Sequence, residues 1–207
     1  MGMHVIAIVL IGFLSGCLGG TQPPPLVRHY SLEYPPPRVE HLYRTEALLK
    51  VERFSVDRLY TGPAMLYRKG DFSRDAYHEQ RWRVSPGDMV TDFLRRDIRH
   101  AGLFRAVLAA RDVEETRFLL EGGVEEFLEV DEENNRKALL VATVTLLDLS
   151  FRDAPRRVVF QKTYRSEAPF ARGGAAGLPE AMSRAMSRFS AQVIADLGDA
   201  LKRLTSH

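Results

Sequence analysis

The chain has 207 residues, with 29 basic against 27 acidic side chains. Its 45% hydrophobic content is enough for one packed core, and a formal charge of +2 offers no whole-molecule attraction for nucleic acid or for a strongly anionic surface. The single cysteine excludes an internal disulfide, so in an exported protein that residue needs another role.

The N-terminus supplies that role. Val5 to Leu14 is an apolar run, with Gly12 as its one small interruption. A spanning helix needs roughly 20 such residues, about twice this length. The run fits the apolar region of a secretory signal instead. It ends in Leu14-Ser15-Gly16-Cys17, which resembles the bacterial lipobox: a leucine, two small residues and the cysteine that receives a diacylglyceryl group. Small residues let the peptidase approach the backbone. Residues 1–16 are therefore expected to be a lipoprotein signal peptide, recognised at Leu14, Ser15 and Gly16, with Cys17 as the lipidated residue. Leu18, and not Asp, follows the cysteine. By resemblance to enterobacterial sorting rules, this implies the periplasmic face of the outer membrane.

Residues 17–27 are dominated by Gly and Pro and read as a tether. A domain is expected over 28–207. It begins with a short extended segment, His29 to Tyr34, and a stiff connector, Pro35-Pro36-Pro37. Leu49 and Val51 alternate with Lys50 and Glu52, as a half-buried strand does. Met65 to Arg68 and Tyr77 to Val84 are further strand candidates, with turn chemistry at Lys69-Gly70-Asp71 between them. Ser85-Pro86-Gly87-Asp88 predicts a capped helix whose apolar stripe is Val90, Phe93, Leu94, Ile98 and Ala101. Arg95, Arg96 and Arg99 with Asp92 take its wet side, and Gly102 ends it.

Three longer strands follow: Phe118 to Val130, Leu139 to Phe151, and Arg157 to Arg165. Gly122-Gly123 predicts a bulge or bend in the first. Asp131 to Asn135 predicts the hairpin turn to the second. A glycine-rich connector, Arg172 to Gly177, leads to a last helix from near Pro179 to about Leu204. Its buried stripe is Met182, Met186, Phe189, Val193, Leu197 and Leu201. The expected fold is a single α+β domain, a mainly antiparallel sheet with two amphipathic helices packed on one face.

No catalytic constellation is legible. His29, His41, His78, His100 and His207 are scattered, without the spacing of a metal pair. No nucleophile-elbow sequence occurs. The glycine-rich loop lacks the Lys-Ser/Thr ending of a phosphate loop, and the acidic turn lacks calcium-loop spacing. No catalytic residue, metal or cofactor is expected. Tyr60, Tyr67, Tyr77 and Trp82 are close in sequence, and Tyr and Trp suit interfaces because they bury area while keeping a polar tip. Tyr67, Arg68, Tyr77 and Trp82 are taken as the candidate partner interface.

Several segments, taken in order, carry a wider likeness. They are Tyr30-Ser31-Leu32; Val51 and Phe54 ahead of Asp57; and Met65-Leu66-Tyr67-Arg68. Tyr77 and Trp82 then lead through Pro86 into the first helix. Gly102-Leu103-Phe104 with Val107 follows, and then Leu120 through Phe127. With these the chain resembles the auxiliary lipoproteins of ABC-type transport systems, a group that includes the lipoprotein of the paraquat-inducible intermembrane system. The resemblance runs from about Tyr30 to Leu204. It implies a non-enzymatic, lipid-anchored adaptor in an ABC/MCE-type system that moves lipids or other hydrophobic molecules. The implied partners are an MCE-type periplasmic protein and an inner-membrane ABC permease, with a homo-oligomeric ring as one assembly it allows and no nucleic acid. The alternative is an envelope lipoprotein that activates or assembles another periplasmic enzyme or secretion complex.

Overall fold

The structure, a computed structural model, describes residues 26–40, 43–132, 135–171 and 176–205. The expected signal peptide and Cys17, part of the acidic turn and most of the glycine-rich loop lie outside the described residues, as do His41 and His207.

The described chain runs through β1 (Arg28–Tyr30), β2 (Thr45–Val51), β3 (Ser55–Val56), a 3-10 turn (Arg58–Tyr60), β4 (Ala64–Arg68) and β5 (Asp75–Trp82). Helix α1 (Pro86–Ala101) and β6 (Phe104–Ala109) follow. The rest is β7 (Phe118–Glu132), β8 (Asn135–Asp148), a one-turn helix α2 (Ala154–Arg157), β9 (Val158–Phe170) and α3 (Leu178–Thr205).

β7 is the axis of the sheet. One edge pairs antiparallel with β8 along its whole length, from Phe118↔Asp148 to Glu132↔Asn135. Its other edge is shared by three strands in turn, all parallel to it. β2 pairs at Phe118 to Leu120, β3 at Gly123 and Val124, and β4 at Glu129 and Val130. β6 extends β2 in parallel, β5 returns antiparallel to β4, and β1 lies parallel to β5. β9 completes the other side, antiparallel to β8.

This overturns the expected mainly antiparallel sheet. The strands run in mixed directions in a curled half-barrel, and the described residues form three helices where two were expected. The antiparallel neighbours β4–β5 and β7–β8 are consecutive across turns that local chemistry announces, and β9 follows β8 after the short helix α2. The parallel partners, such as Leu49 and Phe118, are far apart in sequence, and no local pattern registers that pairing. The short strands β1 and β3 had no period to read.

Helix α1 starts on Ser85, whose Oγ accepts the Asp88 N–H at 3.3 Å. It ends on Gly102 at φ 67°, a left-handed position that a side chain would strain. α3 packs on β8 and β9, α1 packs on β6 and β7, and the two helices touch each other. Their facing residues are fully enclosed: Val90, Leu94 and Ile98 on α1, with Met182, Met186, Phe189, Val193 and Leu197 on α3, are all 0% exposed. Each such side chain contributes about 1.5–3 kcal/mol by leaving water, which is what holds two amphipathic helices on the sheet.

The segment after β1 lies across both helices. Leu32 and Tyr34 are buried, and the Glu33 N–H donates to Ser183 Oγ at 2.9 Å. The Tyr34 ring stacks on Phe93 with centroids 5.3 Å apart. The proline run thus continues from a clamp on the helices rather than from a free linker. In β7 the Phe54 ring crosses Gly122, where a Cβ would overlap Phe54 Cε1 and stand 2.6 Å from the Thr143 carbonyl oxygen. The strand's register shift falls just beyond, between Val124 and Glu126.

Candidate functional site

The four candidate interface residues separate by environment. Trp82, at the end of β5, is 1% exposed and sits edge-on to Phe127 with centroids 5.3 Å apart. It is core in the isolated chain, as is Tyr60. Tyr67 on β4 and Tyr77 on β5 are half-buried neighbours with ring centroids 4.7 Å apart. The Lys69 ammonium stands 5.8 Å over the Tyr67 ring.

Behind them lies a buried carboxylate that periodicity had no means to flag. The Tyr77 hydroxyl donates to Glu129 Oε2 at 2.8 Å. Glu129 is 0% exposed, on a strand position whose neighbours are apolar. Its Oε1 accepts no hydrogen bond and has only the Arg136 guanidinium, at the ion-pair distance of 3.5 Å. Arg136 spends its shorter contact, 3.1 Å, on Asp131. Burial, against weaker help from Tyr77 and Arg136, holds the Glu129 carboxyl above the usual carboxylate range. Burial first, and then the bond to Glu129, pushes the Tyr77 phenol upward as well.

This predicts a pH dependence. With its folded pKa raised, Glu129 binds a proton in the folded chain that the unfolded chain has released. The window opens at the ordinary value of about 4.3 and closes at the raised one. Across it, stability falls as pH rises, and the penalty persists above it. Glu129→Gln removes the charge and keeps an acceptor for Tyr77. Its melting temperature at pH 7 is expected to exceed the parent's by roughly 2–4 °C per kcal/mol relieved. Thermal melts across pH measure this; a lower value for the variant at pH 7 would show that the Arg136 contact outweighs burial.

Arg68 belongs to a different face. Alternation along β9 turns Tyr164 and Ser166 toward α3, Tyr164 edge-on to Phe189 and Ser166 Oγ donating to the Ala185 carbonyl at 2.8 Å. Arg165 and Glu167 therefore point to the helix-free face, where they pair at 2.6 Å. Glu126 is the hub there, with Arg68 at 3.2 Å, Arg74 at 3.5 Å and Arg165 at 3.8 Å. Lys137 adds a contact to Glu167 at 3.2 Å. The result is a mosaic of both signs over the sheet, joining β4, β7, β8 and β9.

On α1 the arginines are largely spoken for. Arg95 pairs with Asp92 at 2.8 Å, and the Arg99 guanidinium donates to the Val107 carbonyl. Arg96 lies over the Tyr34 and Phe93 rings, 4.5 and 4.6 Å from their centroids, and pairs with buried Asp97 at 2.7 Å. The Tyr34 hydroxyl donates to the other Asp97 oxygen at 2.7 Å. Asp97 thus ties the N-terminal clamp to α1, and a carboxylate inside an amphipathic stripe was the one sequence hint of it.

Among the described residues no group of three or more His, Cys, Asp or Glu could hold a metal ion, and no helix is long and apolar enough to cross a membrane. The sequence-predicted lipidation site, Leu14 to Cys17, lies outside those residues.

The structure is similar to the protein XCC0632 from Xanthomonas campestris, with a TM-score of 0.79 at 17% identity over 87% of this chain and 100% of that one. It is similar also to an uncharacterized protein with a TM-score of 0.60, at 13% identity over 84% and 99% of the two chains. The hypothetical protein CT253 from Chlamydia trachomatis gives a TM-score of 0.51, at 8% identity over 74% and 96%. At these identities the likeness speaks for the fold alone. The comparison with curated proteins finds no match. The model of the ABC-type transport auxiliary lipoprotein component matches residues 30–194, from the strand before the helix clamp to the middle of α3. This chain is therefore a transport-associated lipoprotein, a member of the ABC-type transport auxiliary lipoprotein family.

Proposed function

We propose that the chain is a lipid-anchored, non-catalytic adaptor at the periplasmic face of the outer membrane. In this role it serves an ABC/MCE-type intermembrane transport system for lipids or other hydrophobic molecules. The observation that carries this is the family match over residues 30–194, standing behind a lipobox-like Leu14-Ser15-Gly16-Cys17. A tether of Gly and Pro between lipid and domain suits a part whose work is to hold something near a membrane.

Of the candidate interface, Arg68 is the member that joins the ion-pair mosaic centred on Glu126, on the helix-free face. Rim charges of mixed sign set register and partner choice more than raw affinity. We place contact with the MCE-type periplasmic protein there. In-cell crosslinking followed by mass spectrometry tests this. The expected result is crosslinks from Lys137 and its surroundings to an MCE-type protein, in cells that also hold the ABC permease. Recovery of a periplasmic enzyme or a secretion complex in its place would replace the transport role with the alternative one.

A further inference from the structure

The turn between β4 and β5 carries Phe72, which is 101% exposed. Single exposed apolar residues are ordinary, so exposure by itself decides nothing. This one is held outward by a braced turn. Ser73 Oγ donates to the Lys69 carbonyl at 2.6 Å and accepts the Lys69 N–H at 3.3 Å. Arg74 Nη1 donates to the Asp71 carbonyl at 3.1 Å, and Gly70 adopts φ 72°. These bonds fix the turn's backbone, and its one large apolar side chain is left facing out.

Strand register shows what else lies at this end of the molecule. β1 is parallel to β5, with Tyr30 beside Trp82 and Arg28 beside Gln80. Going upstream along β1 is therefore going toward Asp75, where the β4–β5 turn closes. Leu26, 76% exposed, and Val27, 38% exposed, continue from β1 on that side. The chain that leads back to Cys17 thus leaves the domain at the end where Phe72 stands. Cys17 is nine residues ahead of Leu26, a span of about 30 Å at most when fully extended.

We propose that Phe72 inserts into the interface of the bilayer that holds the acyl chains of Cys17, making the β4–β5 turn a second membrane contact. This rests on the lipid-anchor reading. Phe, like Trp and Leu, buries its apolar side chain at the headgroup–acyl boundary when a surface element lies on a bilayer. Lys69 and Asp71 flank the tip with opposite charges, so insertion calls for no anionic lipid. A span of at most about 30 Å from Cys17 to Leu26 leaves the turn within reach of the bilayer that holds the acyl chains. Two contacts at one end would stand the strands upright on the membrane. The helix-free mosaic would then face sideways, open to a partner in the periplasm.

The test uses the mature, acylated chain reconstituted in phosphatidylcholine vesicles, its acyl chains confirmed by intact mass. Phe72→Cys creates the one free thiol, because the Cys17 sulfur carries lipid. A nitroxide there is expected to be reached by oxygen and shielded from a water-soluble nickel chelate. The same label at Val113→Cys should stay in water. Val113 is 91% exposed in the loop beside Leu119 and Leu149, at the opposite end of β7. Equal nickel access at both positions, with acylation confirmed, would overturn the membrane contact and leave the anchor standing. Shielding of position 72 only after a protein partner is added would overturn it too, in favour of a protein slot. A mature chain without acyl mass would overturn the anchor and this proposal together.

Discussion

Cys17→Ala is expected to move the domain out of the membrane fraction as soluble periplasmic protein, or to leave the chain unprocessed. The expected size of the effect follows from acyl-chain physics. Each buried methylene contributes about 0.8 kcal/mol, one chain holds a protein only marginally, and two or more hold it stably. Losing a diacylglyceryl group therefore removes the main attachment. Phe72 alone would not replace it, since one aromatic side chain buries far less apolar surface than two acyl chains. Carbonate-washed membranes and intact mass give the readout. A mature-sized Cys17→Ala chain that stays with membranes would end the lipid-anchor assignment.

Val193→Asp is expected to remove a large part or all of the domain's stability. Val193 is 0% exposed on the face of α3 that covers β8 and β9. Full burial shifts an ionisable group's pKa by up to about 3–5 units, at 1.36 kcal/mol per unit. The cost is then roughly 4–7 kcal/mol, against a typical total stability of about 5–15 kcal/mol. Ile98→Asp on α1 should behave alike, because Ile98 is also 0% exposed. Circular dichroism melts would decide it. A parent-like transition in either variant would mean that the buried stripes face elsewhere.

The candidate site was partly legible. Tyr67, Tyr77 and Trp82 read alike in the sequence, yet Tyr67 and Tyr77 are half-buried while Trp82 is core against Phe127. Composition cannot separate these, because the two environments differ only in what the facing strand brings. Glu129 was invisible for a similar reason. Its hydrogen-bond partner, the Tyr77 hydroxyl, is 52 residues away. Arg96 was expected on a solvated helix side, but the clamp at Tyr34 covers it. Phe72 lay next to an obvious turn and carried no mark of where that turn would point.

What the amino-acid order determines by itself here is local: the apolar run ending at Cys17, the capped helix from Ser85 to Gly102, the stripe of α3 and the consecutive hairpins. These depend on interactions within a few residues, so a short window contains their cause. The parallel pairings of β7 with β2, β3 and β4, the curl of the sheet and the clamp of Tyr34 on Asp97 were decided only in the tertiary structure. So was the placing of the β4–β5 turn, with Phe72, toward the end at which β1 begins. Each of these joins segments whose closeness exists only once the core has closed, and no window along the chain holds both partners.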